Sequence, residues 1–309
     1  MTIKQLNNNE IDKVKWDEII ADSPNGIAYA YSWYLDAVFP TWEALIIDDY
    51  AYVFPLTLKT KYSIRYFFTP IFAMQLGVFS KNEITNEIQA LCYEYLGKIN
   101  MFDISVNPSN NLIPKGFNVI EKECQIVYLN QSYDTIAKGY SNNLKRNLNK
   151  AIKTNLVVKK TENIANVIFL FKQNRGNKIQ EMKEEHYQVL SELIQNGLDH
   201  KQIQIIECYD DREVIASGFF SFCNKKIIYH KGGTNGKGKK YGAMHLIIDS
   251  IIREYEHTDW TLDFGGSSID SVKRFNKNFS DDFYTYNVLQ KSPFLLNSIR
   301  KLKNWAIKE

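Results

Sequence analysis

Three stretches of this chain carry residue types able to bind or activate a polar substrate. The first is basic: from Lys138 to Lys160 there are seven cations (Lys138, Lys145, Arg146, Lys150, Lys153, Lys159, Lys160) and no Asp or Glu. Arg grips a phosphate or carboxylate through a planar fork, and Lys acts as a point charge. Lys145, Arg146 and Lys150 are therefore candidate substrate-binding residues, Arg146 foremost; a solvated basic helix face is the alternative. The second stretch, Gly232 to Ala243, leaves a strand-like segment and enters a helical one. Free N–H groups and the helix dipole favour anions at such a junction, which makes Gly236, Gly238, Gly242 and Ala243 candidate binding positions for a cosubstrate; a glycine-rich connection without a ligand is the alternative. Gly233, Gly238 and Lys239 have Walker A spacing, but Lys240 stands where Ser or Thr would hold magnesium. The third stretch is Asp263-Phe264-Gly265-Gly266-Ser267. Its first three residues copy a kinase motif, yet no HRD loop or VAIK-like strand accompanies them.

His230 precedes the glycine-rich stretch, and an unperturbed histidine titrates near neutrality. It is the candidate general base, against the plainer reading of a structural strand histidine. No Ser-His-Asp order is recognisable. The four cysteines, Cys92, Cys124, Cys208 and Cys223, form no CxxC pair and no metal-ligand spacing, and are expected to be reduced core residues.

These residues need a scaffold, and a faint internal repeat provides one. Glu43 to Phe68 reads as strand (43–47), turn at Asp48-Asp49, strand (51–58), turn at 59–61 and strand (63–68). Gln204 to Tyr229 reads the same way, with turns at Asp210-Asp211 and Asn224-Lys225. Each copy continues into an amphipathic helix (Ile84 to Leu96; Met244 to Tyr255), a short strand with a central aspartate (Asp103; Asp263), a turn with a phenylalanine (Phe117; Phe279) and a last strand (125–129; 285–289). Corresponding residues such as Asp48 and Asp210, or Asp103 and Asp263, lie 160 to 162 positions apart. The expectation is a mixed-sheet α/β (α+β) fold of two tandem units, residues 1–137 and 138–309. A final helix is expected near Leu295 to Ile307.

With helices at Ser32 to Phe39 and Glu184 to Asn196, each unit has the element order of the GNAT acyl-CoA N-acyltransferase fold, and two in tandem resemble the Fem-type (FemAB-like) peptidyltransferases. The resemblance rests on Trp16 through Trp33, on Tyr140 to Ala151, on Ile227 to Gly233 and on Asp263 to Ser267 running on to Phe279. It implies an N-acyltransferase that moves an acyl or aminoacyl group from acyl-CoA or aminoacyl-tRNA to a small-molecule or peptide amine, in cell-wall precursor (peptidoglycan) or related metabolism. No tightly bound cofactor is implied. In that reading the Gly236 to Ala243 junction holds the donor phosphates, so Gly242→Glu is expected to block the donor without unfolding the chain. Arg146 and Lys150 clamp an acceptor phosphate or tRNA. Asp263, with Ser267 and Lys273 nearby, faces the cleft and orients the amine, unless it only hydrogen-bonds loop amides. The family's Phe-Lys-x-x-Phe places a lysine at the oxyanion; here Asn276 follows Phe275 and Lys277 comes one place later. Asn also donates to an oxyanion, so Asn276 and Lys277 are both candidates.

With 309 residues, 44% hydrophobic and 24% charged, the chain has the composition of ordinary globular domains. Apolar runs of about five residues fall well below the roughly twenty a membrane helix needs. No secretory signal is read at the N-terminus, and a cytoplasmic protein is expected. A net charge of +3 argues against a DNA-binding protein. Two rival readings stay open: a double-module binding protein without turnover, and an RNA-binding protein using the basic helix.

Overall fold

The computed structural model describes residues 1–61, 63–174, 176, 182–267 and 269–292; the helix expected near Leu295 to Ile307 lies outside them. In chain order the elements are β1 (Ile3–Asn7), α1 (Lys13–Asp22), α2 (Ser32–Val38), β2 (Glu43–Ile47), β3 (Tyr52–Leu56), β4 (Leu58–Lys61), β5 (Ile64–Phe68), α3 (Asn86–Tyr95), β6 (Met101–Val106), β7 (Asn118–Tyr128), α4 (Tyr133–Lys138), α5 (Asn142–Lys153) and β8 (Val157–Thr161). The chain continues through α6 (Ile164–Asn174), α7 (Glu184–Asp199), β9 (Ile203–Asp210), β10 (Glu213–Cys223), β11 (Lys226–Thr234), α8 (Gly236–Tyr241), α9 (Ala243–Glu254), β12 (Thr261–Asp263), α10 (Asp270–Asn276) and β13 (Phe283–Lys291). Two compact units result. One comprises Met1–Ser32, Phe39–Lys122 and the described residues from Thr285 onward; the other comprises Trp33–Val38 and Glu123–Tyr284.

In the first unit β1, β2 and β3 form an antiparallel sheet, and β4, β5, β6 and the later part of β13 form another. In the second unit β8, β9, β10 and β11 are antiparallel, β12 joins β11 in parallel, and the end of β7 pairs antiparallel with β12. The repeat is exact at its centre. Tyr66↔Met101, Phe67↔Phe102 and Phe68↔Asp103 are the parallel pairs of the first unit, and Lys226↔Thr261, Ile227↔Leu262 and Ile228↔Asp263, each 160 residues later, those of the second. The fold is mixed α/β with two repeated units in tandem.

The turn residues sit where their chemistry allows. Asp48, Asp49, Asp211, Asn224 and Lys225 all adopt left-handed backbone angles, with φ of 45–55°, tolerated best by Asn, Asp and Gly. Two expectations are corrected. Lys59 to Lys61 belong to strand β4 rather than to a turn, because Leu58 to Lys61 pair with Phe67 to Ile64. The glycine-rich segment after β11 is not an open loop but the short helix α8, started by Asn235, whose Oδ1 accepts from Gly238 N–H at 2.8 Å.

In the second unit α9 lies on one sheet face. Its Ile247, Ile248, Ile251 and Ile252 share a core with Ile206, Phe220 and Ile227 of the sheet and with Leu144 and Leu148 of α5. A polar hub stands beside that core. Asp249 of α9, 2% exposed, accepts from the hydroxyls of Tyr133 and Tyr140, both at 3.0 Å, and pairs with Arg253 at 2.8 Å. Ser141 caps α5 by accepting from Leu144 N–H, as its position before an amphipathic run predicts.

Candidate functional site

The second unit carries an opening that its sheet does not close. β11 and β12 pair over only three residues. Beyond Asp263 the chain stays with β7, as Phe264 N–H donates to the Gln125 carbonyl at 3.1 Å, while β11 runs on beside β10 as far as Thr234. From Tyr229 on, β11 therefore has a strand partner on one side only among the described residues. Unpaired backbone groups in such a wedge can take an extended ligand as a strand would.

The first unit begins the same wedge and then fills it. After Phe68, Thr69 N–H donates to Asp103 O, Leu76 N–H to Ser105 O and Asn107 N–H to Leu76 O, so that Leu76 bridges Val106 in parallel. Buried Asn25, Asn107 and Asn110 fasten that segment through the backbone groups of Leu76 and Val78. One copy of the repeat is thus closed and the other open.

Helix α10 brings Asn276 inside. It is 1% exposed, and neither its Oδ1 nor its Nδ2 has a hydrogen-bond partner among the described residues. A buried polar group left unpaired costs about 1–3 kcal/mol, so the Asn276 amide is available to hydrogen-bond a ligand. The ring of the preceding Phe275 lies 4.7 Å from that of His245 in the first turn of α9, whose Nε2 is also buried and unpartnered. Desolvation pushes His245 down to about 4, leaving a neutral imidazole at pH 7. Lys277 is exposed at the end of α10, so of the two oxyanion candidates only Asn276 points into the protein.

His230 sits at a β-bulge opposite Phe219 and Phe220. Its ring stacks on Phe219 with centroids 5.1 Å apart; Nε2 is 2.8 Å from the Ser221 hydroxyl and Nδ1 is 3.4 Å from the Tyr34 hydroxyl. Burial, with Lys231 second, lowers it to about 3. Its geometry is that of a neutral ring holding Ser221 and Tyr34 in place. Asp263 is 3% exposed and fully used. Oδ1 accepts from Gly265 N–H at 2.6 Å and from the Cys124 thiol, and Oδ2 from the Tyr284 hydroxyl at 2.8 Å. It fastens the chain after β12. Ser267 accepts from Ile269 N–H at 3.0 Å, and Lys273 lies on α10, partly buried.

The glycine positions divide. Gly238 N–H is already taken by Asn235, and a Cβ there would meet the Ile215 carbonyl at 2.1 Å, so this glycine allows α8 to pack on β10 and leaves no phosphate cradle of the Walker kind. Gly242, at φ 74°, joins α8 to α9 and lies against Asn147 of α5. Ala243 is fully buried. Gly236 faces open space. Lys145, Arg146 and Lys150 line the exposed side of α5; Lys145 Nζ donates to the Lys138 carbonyl at 3.1 Å.

Sequence reading passed over His245, and also Glu207, Ser217 and Lys231 on the opposite face of the sheet. Lys231 lies within the Ile227 to Gly233 stretch without being singled out, and the others stand in no motif. For the strand residues, alternation between two covered faces was the available signal, and it does not separate a buried polar position from an exposed one.

The fold these units define is Fem-like. Aligned over 93% of this chain and 97% of its own, a crystal structure of FemX superimposes with a TM-score of 0.67 at 11% identity. The C-terminal domain of an Agrobacterium fabrum protein assigned as a lysylphosphatidylglycerol synthetase gives 0.59 at 9% identity, covering 97% of each chain. L-PGS from Bacillus licheniformis gives 0.56 at 10% identity, covering 93% of this chain and 95% of its own. No protein-family model matches the sequence, and no curated protein matches it. No helix among the described residues is long and apolar enough to cross a membrane.

Proposed function

We propose that the chain is an N-acyltransferase that moves an acyl or aminoacyl group from acyl-CoA or aminoacyl-tRNA to an amine, with the donor lying in the open wedge of the second unit. The observation that carries this reading is the contrast between the two copies: the wedge closed at Leu76↔Val106 in one is open beyond Ile228↔Asp263 in the other, with the unpaired Asn276 amide in the same unit. The Fem-like fold supports it, because it is shared with FemX and with a domain whose name, lysylphosphatidylglycerol synthetase, describes joining an aminoacyl group to an acceptor. In the reaction the amine nitrogen attacks the donor carbonyl carbon, and Asn276 Nδ2 donates to the oxygen that becomes negative. The C–O bond of an aminoacyl ester, or the C–S bond of a thioester, then breaks, and the nitrogen's proton leaves on the released hydroxyl or thiol. Arg146, Lys145 and Lys150 offer their charges to the phosphates of a tRNA or acceptor, and residues 1–137 and 138–309 are the two copies of one ancestral module. Donors of these kinds place the reaction in the cytoplasm, with a peptide such as a cell-wall precursor as an acceptor to test.

The test is a transfer assay pairing labelled aminoacyl-tRNA and acyl-CoA with a panel of amines. Transfer from one donor class, lost in Asn276→Ala, supports the reading. Donor binding without transfer would favour a binding protein, and RNA binding unaffected by donor competition would favour the basic helix as the functional element.

A further inference from the structure

The sheet of the second unit has a second set of unpaired polar groups, on the face away from α9. Glu207 of β9 is 0% exposed; its Oε2 accepts from the Tyr209 hydroxyl, while Oε1 has no partner among the described residues. Ser217 of β10, also 0% exposed, pairs directly opposite Glu207, and its hydroxyl is likewise unpartnered among the described residues. Ser217 in turn pairs with Gly233 of β11, where a Cβ would meet the backbone of Leu170 in α6, so this face lies under α6. Two residues along β10, Phe219 pairs with Lys231. Paired residues and residues two apart share a face, which puts Lys231 on the face of Glu207 and Ser217. Burial alone lowers the Lys231 ammonium to about 8, with no acidic group contributing. With strands about 4.8 Å apart and residues two apart about 6.8 Å along the strand, the Glu207 and Lys231 Cα atoms are about 12 Å apart. Both side chains can touch one small ligand.

Lys159 of β8 stands directly opposite Glu207, but its ammonium lies over the Tyr209 ring, 5.5 Å from the centroid. A buried carboxyl with one open oxygen, an unpaired hydroxyl and the partly exposed Lys231 ammonium, on one face of one sheet, match a ligand bearing both charges. We propose that Glu207, Ser217 and Lys231 bind an α-amino-acid zwitterion, its ammonium against Glu207 and Ser217 and its carboxylate against Lys231. Glu207 stands two strands away from the β11/β12 opening, so the ammonium held there anchors the molecule and is not the amine that reacts. As a statement about substrate this rests on the transferase reading, and it makes the acceptor a molecule that ends in a free amino acid and carries its reacting amine elsewhere.

The experiment titrates the full chain, without donor, with L-alanine, methylamine and sodium acetate, following binding by calorimetry and melting temperature. L-Alanine is expected to bind at least tenfold more tightly than either single-charge probe, and Glu207→Gln and Lys231→Met each to weaken it tenfold or more. Glu207→Gln should melt at or above the wild-type temperature without ligand, because it removes a fully buried charge and keeps an acceptor for Tyr209; Lys231→Met should change melting little, because Lys231 is partly exposed. No binding of L-alanine, equal binding of the three probes, unchanged affinity in the variants, or a water alone between Glu207 and Ser217 in a crystal soaked with L-alanine would each overturn the site. So would a Glu207→Gln variant that melts lower. The transfer assay separates the two readings: L-alanine binding with no transfer from any donor keeps this site and ends the transferase reading. Transfer at an unchanged rate in Glu207→Gln ends the anchoring role and keeps the transferase.

Discussion

At the scale of single residues, the sharpest difference is between Asn276 and its neighbour. Both were legible as oxyanion candidates, and burial alone separates them: Asn276 is enclosed and unpaired, while Lys277 is exposed. Asn276→Ala should lower kcat about 100- to 1,000-fold, the usual loss for one oxyanion donor, with donor affinity retained; Lys277→Ala should change kcat little. Equal losses in the two variants would remove Asn276 from the site. The two buried histidines give a second residue-scale prediction. Both are held neutral, His245 to about 4 and His230 to about 3, against about 6.5 when unfolded. Between pH 6.5 and 4 the unfolded chain therefore binds protons that the folded chain refuses. Stability should fall as pH drops through this window, by up to about 1.4 kcal/mol per pH unit for each histidine. Urea unfolding at stepped pH should show that slope reduced by one proton in His245→Leu. A slope unchanged in this variant would mean that His245 is not buried neutral.

At the scale of elements, the α8–α9 junction revises what a substitution there can report. The sequence presents Gly242 as a donor contact, yet the structure makes it a left-handed hinge pressed on Asn147. A side chain in that backbone conformation costs about 1–2 kcal/mol, and the contact with α5 adds to it. Gly242→Glu should lower the melting temperature whatever it does to donor binding, whereas Gly236→Glu, which faces open space, should keep stability. Equal melting temperatures would contradict this account of the hinge. The Asp249 hub is the other element-scale device, since it ties α4 and the segment before α5 to α9 through Tyr133, Tyr140 and Arg253. Asp249→Ala leaves the buried Tyr140 hydroxyl, the half-buried Tyr133 hydroxyl and a half-exposed guanidinium without their acceptor and should cost about 1–3 kcal/mol in urea unfolding; a loss under about 1 kcal/mol would show that the hub carries little. The legible elements were those whose signals are local. Asn224-Lys225 and Asp210-Asp211 announced their turns, Ser141 its helix, and the 160-residue spacing the repeated parallel pairs. Helix α8 was missed because Gly236-Lys237-Gly238-Lys239-Lys240 has poor helix propensity, and its start depends on Asn235 and on packing against β10.

At the scale of the whole molecule, the two copies share the register of their central parallel pairs and differ in the segment beyond it. That asymmetry was not legible, because closure of the first wedge depends on Leu76 meeting Val106 and on Asn25, Asn107 and Asn110 converging from distant positions. The sequence places one aspartate, Asp103 or Asp263, in each central strand, with nothing nearby to say that only one copy stays open. The proposed function depends on this difference more than on any single side chain. It is tested most directly by amide hydrogen exchange on the full chain, with and without acyl-CoA and, separately, a non-hydrolysable aminoacyl-tRNA analogue. One of the two donors should slow exchange in residues 229–234 of β11 and leave residues 69–79 of the first unit unchanged. Protection confined to residues 69–79, or none in β11 with either donor at saturating concentration, would contradict the assignment of the donor site to the second unit's wedge.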